Sequence, residues 1–354
     1  MRGLLGMGLL LVVGCAKDPD PPLDLTERLG AGQVRAGAIT DPAALFGGIS
    51  AEGQVGDWLI YNDRARFVVQ GVRDGSFYVR QGGGVIDADV VRDEPLVGGD
   101  LVDEWMGMYG VGRLAAPTRI ELVADGSDGQ AAILRVHAVE SPMELLTGAF
   151  EDDGIVVDLG LTFVTDYVLR PDTALLEVRT TITAPGGGSF QPGDALLGSE
   201  DGADTWYPGG GLDGDDDDGP RFTAMVGRRN EATVAMAPLQ GAVDAGTLGL
   251  LSEVVSLIAM AGDTVDIPAG GSVTYARYYA VAPDPAAIHA ELMALDGVAT
   301  TAVDDVVTAP DGPVAGARVQ VMVDGALASF AVTDAEGRFH AQAPTAATVE
   351  LRAT

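Results

Sequence analysis

The sequence predicts an all-β protein made of a large β-sandwich domain and a small β-sandwich domain, with one short helix between them. From about residue 31 to 282, short runs of Val, Ile, Leu, Tyr, Phe and Thr alternate with clusters of Gly, Asp and Pro. This spacing is typical of sandwiches and barrels. Helical periodicity is scarce by comparison. An apolar fraction of 47% in 354 residues is enough for a sizeable core.

The charge of the chain excludes several classes of partner. There are 52 acidic and 21 basic residues, which gives a formal net charge of −31. A basic footprint for nucleic acid is therefore not expected, and neither is docking on an anionic lipid surface by charge. The apolar fraction also excludes an acidic disordered chain.

Residues 1–14 are expected to be a lipoprotein signal peptide. Arg2 gives a positive start, and the apolar stretch that follows is about ten residues long, too short for a spanning helix of about 20. The stretch ends at Val12-Val13-Gly14-Cys15, which resembles a bacterial lipobox. That resemblance implies cleavage before Cys15 and its acylation. An ordinary signal peptide or a buried N-terminal helix is the alternative.

Residues 15–30 are expected to be the lipidated Cys15 and a tether rich in Pro and Asp. Such a composition favours an extended, solvated spacer. The membrane is then a partner through the lipid on Cys15. Ala16 stands where lipoproteins retained at the inner membrane often carry Asp, so we expect an exported outer-membrane lipoprotein of the cell envelope.

The large domain is expected to span residues 31–300. Its candidate strands are rich in β-branched and aromatic residues and are bounded by turn residues. They are Asp57–Tyr61, Arg66–Gln70, Ser76–Val79, Arg119–Ala124, Ala131–Ala138, Ile155–Val164, Ala174–Thr183, Phe222–Gly227, Ala232–Ala237, Val254–Ala259 and Ser272–Val281.

An α-helix is predicted from residue 285 to 295. Asp284 can cap its first turn, and the proline that follows suits the first helical position. Gly297 can take the left-handed conformation that ends a helix. The residues expected on the buried face are Ile288, Leu292 and Leu295.

The small domain, residues 301–354, carries the motifs Asp311–Val319 and Val332–Phe339. They resemble the carboxypeptidase regulatory-like domain, a transthyretin-like β-sandwich. The resemblance implies a noncatalytic module that braces a neighbour or binds a partner or glycan. Asp334 is expected to bond its own backbone in a turn where Gly337 takes a positive φ. One more strand would be expected after Thr354, so we expect a fragment of a longer protein.

The large domain carries two further resemblances. Gly56–Gln70 and Gly82–Asp89 resemble the N-terminal β-domain of large secreted bacterial proteins, often myxobacterial. Those proteins continue, through a carboxypeptidase regulatory-like domain, into a metal-dependent hydrolase domain of the polymerase-and-histidinol-phosphatase (PHP) type. Thr165–Asp172 is similar to the supersandwich repeats of mutarotase-like sugar-binding folds, which implies a supersandwich-like large domain.

The histidines limit the chemistry that we expect. His137, His289 and His340 lie in separate segments, so the clustered ligands of a metallohydrolase are not expected here. His137 is the candidate catalytic residue, since a strand histidine opposite a glutamate could act as general acid in a mutarotase-like enzyme. The alternative is a lone histidine on the polar face of a strand.

The loop from residue 199 to 220 is the most unusual segment. Residues 200–218 include eight acidic residues and no basic one. Asp213, Asp215 and Asp217 have the alternate spacing that lets a turning loop wrap Ca²⁺, which is the one candidate cofactor. A solvated run of charges is the alternative.

Two aromatic residues, Trp206 and Tyr207, lie in the same loop. Their rings could stack on a sugar ring or on a side chain of a partner. They could equally anchor the loop to the core, as large aromatic residues commonly do. The two alternatives differ in whether a ring face is exposed.

Two classes of function follow. The first is a noncatalytic cell-envelope lipoprotein whose β-sandwich domains bind carbohydrate or protein, or support a catalytic domain. The second is a sugar-modifying enzyme on a mutarotase-like supersandwich, which would use buried Asp/Glu pairs and could use His137, or an accessory fragment of a secreted metal-dependent hydrolase. A cleft shared by His137 and a carboxylate would favour the enzyme. We prefer the first class, because a fold resemblance alone supplies no site.

The lipid anchor gives the first prediction. Cys15→Ser is expected to leave the protein unprocessed or soluble in the periplasm, because each buried CH₂ of an acyl chain contributes about 0.8 kcal/mol of membrane affinity. Metabolic labelling with palmitate, followed by membrane fractionation, measures this. Label that persists in the variant would contradict the assignment of Cys15.

Overall fold

The structure is a computed structural model that describes residues 23–48, 50–75, 79–92, 98–110, 112–143, 158–199, 203–212, 219–229, 232–246 and 255–354. The predicted fold class is confirmed, because the described chain is all-β with antiparallel sheets and a short α-helix before the small β-sandwich. No helix among the described residues is long and apolar enough to cross a membrane.

The large body is formed by two large antiparallel sheets. Within the described ranges, the first sheet has eight strands in the order β1-β2-β3-β4-β5-β11-β17-β16. They are β1 (Val34–Ala38), β2 (Trp58–Asn62), β3 (Ala65–Val69), β4 (Val85–Val90), β5 (Val102–Tyr109), β11 (Pro192–Ser199), β16 (Asp244–Gly246) and β17 (Val255–Ala261).

The second sheet has nine described strands in the order β13-β12-β14-β15-β19-β9-β8-β7-β6. They are β6 (Arg113–Ala124), β7 (Ala132–Pro142), β8 (Thr162–Leu169), β9 (Leu175–Ala184), β12 (Ala203–Tyr207), β13 (Gly211–Leu212), β14 (Thr223–Gly227), β15 (Thr233–Pro238) and β19 (Gly271–Ala282). A separate pair joins β10 (Gly188–Phe190) to β18 (Val265–Ile267).

The main core lies between these two sheets. It contains Phe67 and Trp105 from the first sheet and Leu134, Leu176 and Tyr279 from the second. Period-two alternation directs one side of each strand into this core. Most predicted strands coincide with observed ones within a few residues, although the proposed start of one at Ile155 and most of another, 76–78, lie outside the described residues.

The second half of the predicted tether is not an extended spacer. Leu25 and Leu29 are buried, and they pack with Leu59 and Val68 on the outer face of the first sheet. The Tyr61 hydroxyl also donates to the Glu27 carbonyl at 3.0 Å. The apolar residues of this segment therefore cover a sheet face that would otherwise be exposed. A short 3₁₀ helix, residues 42–44, lies in the same layer.

The predicted helix is confirmed as α1, Pro285–Leu295. The Asp284 carboxylate accepts the Ala287 N–H at 2.9 Å, which is the expected cap. Gly297 has a φ of 70°, and the turn closes with Val298 N–H donating to the Met293 carbonyl at 2.9 Å. Ile288 and Leu292 are buried as predicted, whereas Leu295 is 46% exposed because the helix ends there.

The small module follows α1. Its described strands form a three-stranded sheet, β24-β23-β26, and two strand pairs, β20-β25 and β21-β22. They are β20 (Thr300–Val306), β21 (Thr308–Ala309), β22 (Gly312–Pro313), β23 (Arg318–Val323), β24 (Ala326–Val332), β25 (Arg338–Pro344) and β26 (Val349–Ala353). Asp334 Oδ1 accepts the Glu336 and Arg338 N–H groups, and Gly337 has a φ of 74°, as the motif predicts.

Two buried carboxylates lie in the first sheet and the loop before β5. Asp87 accepts N–H groups from Glu52 and Gly53 at 2.8 and 3.0 Å. Asp100 Oδ1 accepts the Ala88 N–H at 2.9 Å, but its Oδ2 has no partner among the described residues. Burial raises the pKa of Asp87 to about 7, and burial and the nearby Asp87 raise that of Asp100.

These raised pKa values give a prediction of pH dependence. The folded state holds protons that the unfolded state has lost between about pH 4 and pH 7, so the free energy of unfolding falls as the pH rises through this window, by about 1.4 kcal/mol per pKa unit. Asp100→Asn cannot ionise and is expected to make this fall shallower. Urea unfolding at several pH values measures it, with Asp263→Asn, an exposed residue, as control. If the free energy of unfolding falls as steeply with pH in Asp100→Asn as in the unmodified protein, Asp100 does not contribute to the fall.

Candidate functional site

The polar centre of the large body is an ion pair between its two sheets. Asp194 on β11 and Arg277 on β19 are 0% and 2% exposed, and their closest charged atoms are 2.8 Å apart. Tyr275 donates to Asp194 Oδ2 at 2.7 Å, and Tyr279 donates to Oδ1. The guanidinium also donates to Thr180 Oγ1 at 2.7 Å. Both charges are thus paired and hydrogen-bonded, as burial requires.

Aromatic rings enclose this ion pair. Burial raises the pKa of Tyr109, Tyr275 and Tyr279, so their hydroxyls stay protonated at neutral pH and can donate. The Arg277 guanidinium carbon lies 4.7 Å from the ring centre of Tyr275, within the range of a cation–π contact. Trp105 stacks on Tyr279 with ring centres 4.0 Å apart. The network therefore joins β5, β11 and β19.

A small cavity of about 40 Å³ lies beside the Arg277 side chain, between the sheets. Thr165 and Tyr167 line it, and the Tyr167 hydroxyl donates to the Gly83 carbonyl at 2.8 Å. A Cβ at Gly107 would lie 3.2 Å from the guanidinium, so a glycine there permits the close approach. The volume suits ordered water and is far below that of a typical ligand pocket.

His137 lies on the outer face of the second sheet. Its neighbours on β7, Val136 and Ala138, are buried and point the other way, into the inter-sheet cavity. Its Nε2 is 3.1 Å from Glu121 Oε1 and 2.9 Å from Arg119 Nη2, and its side chain is 28% exposed. The structure thus brings His137 to a carboxylate, but within a row of charged side chains on the solvent side of a sheet.

Trp206 and Tyr207 are both buried in the described structure, with 1% and 2% exposure. Trp206 packs against Phe222 at 5.4 Å and against the edge of Phe330 at 6.0 Å, measured between ring centres. Their burial corresponds to the anchoring alternative, and it leaves neither ring face open for stacking on a ligand. The apolar contacts of Trp206 extend into the small module, to which Phe330 belongs.

Other predicted site residues lie outside the described ranges. These are the lipidation residue Cys15 and the Ca²⁺ candidates Asp213, Asp215 and Asp217. Within the part of the chain that the structure describes, no three His, Cys, Asp or Glu side chains are grouped so that they could hold a metal ion. The lipid and Ca²⁺ assignments stay predictions from the sequence.

The junction between the large body and the small module is buried on both sides of α1. Phe330 of β24 joins a cluster with Trp206, Tyr278 and the helix residues Ile288 and Leu292. On the other side, Ala286 of the helix belongs to the core of the small module, with Val319, Val321, Ala331, Phe339 and Ala341. The helix is therefore packed into two cores at once.

Hydrogen bonds also cross the junction. Asp284 caps α1 with one carboxylate oxygen, and its other oxygen accepts the Val332 N–H of β24 at 2.9 Å. The Gly209 N–H, in the turn after β12, donates to the Leu327 carbonyl at 2.6 Å. Burial raises the pKa of Asp284 to about 6, although the hydrogen bonds from the Val332 and Ala287 N–H groups act to lower it. Asp284 therefore ties the start of the helix directly to the small module.

An open groove of about 870 Å³ lies beside β19. Thr274, Tyr275 and Ala276 line it from the strand, and the segment Pro238–Gln240, where β15 ends, lines it from the side. Its charged lining residues are Asp263 and Asp296. The volume falls within the range of typical ligand sites, about 300–1,000 Å³. No pattern in the sequence predicted this groove.

No protein-family model matches the sequence, and no curated protein matches it significantly. A galactose mutarotase related enzyme from Lactobacillus acidophilus is 10% identical, over 64% of this chain and 97% of that chain, with a TM-score of 0.37. A galactose mutarotase-like protein from Lactobacillus casei is 10% identical, over 64% and 100%, with a TM-score of 0.38.

A third solved structure, a TPR-domain containing protein from Parabacteroides distasonis, is 11% identical. The match covers 65% of this chain and 47% of that chain, with a TM-score of 0.40. Mutarotase-like proteins are thus among the structural neighbours of this chain. At such identities and TM-scores the similarity says nothing about its activity.

The buried ion pair gives a prediction about stability. Arg277→Met would leave the Asp194 charge buried without its counter-ion, at a cost of about 3–5 kcal/mol in the free energy of unfolding. Adding Asp194→Asn is expected to recover part of this loss, because it removes the charge and keeps one acceptor oxygen, for Tyr275 or for Tyr279. Chemical denaturation of both variants measures the difference. A double variant as unstable as the sum of the single ones would contradict the coupling.

Proposed function

We propose that this protein is a noncatalytic lipoprotein of the cell envelope whose large β-body supports the small module and presents it, with a groove of its own, to a partner. The anchor would be the lipid on Cys15, as the signal-like start of the sequence suggests. The net charge of −31 would keep the body in solution and away from anionic lipid.

The observation that carries the support function is the two-sided burial of α1. A flexible linker between independent domains would be exposed and polar, with few contacts across it. Here Phe330 inserts beside Trp206, and Asp284 bonds both the helix and β24. Arg318 of β23 also donates across the junction, to the Gly227 carbonyl of β14 at 3.4 Å. These contacts favour a fixed orientation of the module.

The position of His137 favours a noncatalytic protein over a sugar-modifying enzyme. General acid–base catalysis needs a group within hydrogen-bond reach of a bound substrate. The His137 imidazole is engaged by Glu121 and Arg119 on the outer sheet face, and the inter-sheet cavity lies on the opposite side of the same sheet. The enzyme hypothesis is therefore left without support from its candidate acid.

Pulsed electron paramagnetic resonance tests the support function. In a Cys15→Ser background, spin labels at Asp172→Cys and Ala346→Cys report the distance between the large body and the small module; both sites are exposed. We expect one narrow distance distribution. Phe330→Ala is expected to broaden it, because truncation of a buried Phe costs about 3–5 kcal/mol and this ring faces the junction.

The control for this experiment is Leu351→Ala. Leu351 lies on β26 and is 37% exposed, so its truncation changes the small module without touching the junction. The distribution should stay narrow in that variant. A broad distribution in the otherwise unmodified protein would contradict a supporting role for the large body.

A further inference from the structure

Part of β19 has a strand partner on one edge alone. Along Gly271–Ala280 the strand pairs with β9, whereas β15 pairs with Arg277–Ala282 and ends at Pro238. Gly271–Ala276 therefore has no strand on its second edge among the described residues. The chain leaves this edge at Pro238, and the groove opens between the departing segment and β19.

The open edge presents backbone groups that can bind another strand. In an antiparallel ladder, successive residues direct their N–H and C=O groups to opposite edges, so about half of Gly271–Ala276 point into the groove. Outside the ladders, the described backbone bond of this segment is that of Gly271 N–H to the Pro268 carbonyl. At about 3.3 Å per residue, the open edge is about 20 Å long.

The charge of the groove is negative. Asp263 is exposed and Asp296 pairs with Arg221 at 2.8 Å, and no basic side chain lines the groove in the described part of the chain. The whole chain is also acidic. A segment that carries Lys or Arg is therefore attracted, whereas a second copy of this chain is repelled.

We propose that this groove binds an extended, positively charged peptide segment of a partner protein, which adds a strand to the open edge of β19. The inference deepens the proposed function, on which it rests, by naming the class of partner. Strand addition obtains affinity from main-chain hydrogen bonds and specificity from alternate side chains. Asp263 is placed to pair with a basic side chain of the peptide.

The lining favours a peptide over a carbohydrate. An aromatic ring with an open face is the feature on which a sugar ring commonly stacks. Tyr278 is 7% exposed and packs in the cluster of α1, and the Arg277 guanidinium lies over the Tyr275 ring, 4.7 Å from its centre. These contacts occupy the two rings, whereas backbone N–H and C=O groups of β19 that are unpaired in the described part of the chain line the groove along its length.

Selection from a random ten-residue peptide library displayed on phage, against the full-length protein in detergent, tests this inference. We expect enriched peptides with alternating β-branched residues and at least one Lys or Arg. Synthetic copies should bind Asp263→Lys at least fivefold more weakly in fluorescence anisotropy. Asp305→Lys, the same change at an exposed site of the small module, should bind normally. The peptide should also slow amide hydrogen exchange in Val273–Ala276.

Several results would overturn the inference. They are the absence of enriched peptides, equal binding by copies N-methylated at alternate amides, protection of amides away from β19, and binding of cellohexaose with no binding of peptide. Failure of the support function is distinguishable, because Phe330→Ala would alter the spin-label distances and leave peptide binding intact. Asp263→Lys would weaken peptide binding and leave the spin-label distances unchanged.

Discussion

The buried ion pair of Asp194 and Arg277 sets how the two large sheets lie against each other. It joins the two large sheets by charge as well as by apolar packing, and it fixes the position of β19. Because an unpaired charge there would be costly, the facing strands β11 and β19 have little freedom to slide or rotate. Tyr275 and Tyr279 flank the arginine on the same face of β19. Their hydroxyls donate hydrogen bonds to the two carboxylate oxygens of Asp194.

The opposite face of β19 packs against α1 and, through the helix, positions the small module. Tyr278 and Ala280 pack against α1, whose other side enters the core of the small module, so the position of that module is set through the helix by the central strand. The first part of β19 keeps an open edge, because β15 ends at a proline that cannot continue the ladder. One strand thus joins the sheets, packs against the helix and borders the groove, so the proposed support function and the proposed peptide binding both depend on β19.

Local features of the sequence predicted local structure well. The bounds and both caps of α1 and the turn at Asp334 and Gly337 follow from short-range hydrogen bonds and backbone preferences, which nearby residues encode. Strands β4, β5 and β11 were missed because they contain Asp or Gly, residues that are typical of loops. The partners that allow Asp194 to be buried lie more than 80 residues away in the chain, so no local pattern reveals them. The alternation of Tyr275, Arg277 and Tyr279 is the signal that could have indicated a buried arginine.

Hydrogen exchange of the full chain tests whether the large body and the small module open as one unit. The free energies of opening for the amides of α1 and of β24 should be equal within about 1 kcal/mol, since the Val332 N–H is bonded to the residue that caps the helix. The amides of β19 that are bonded to β9 or β15 should open with at least as large a free energy. A β24 that exchanges with a free energy of opening several kcal/mol below that of α1 would show that the small module opens independently, and would contradict the account.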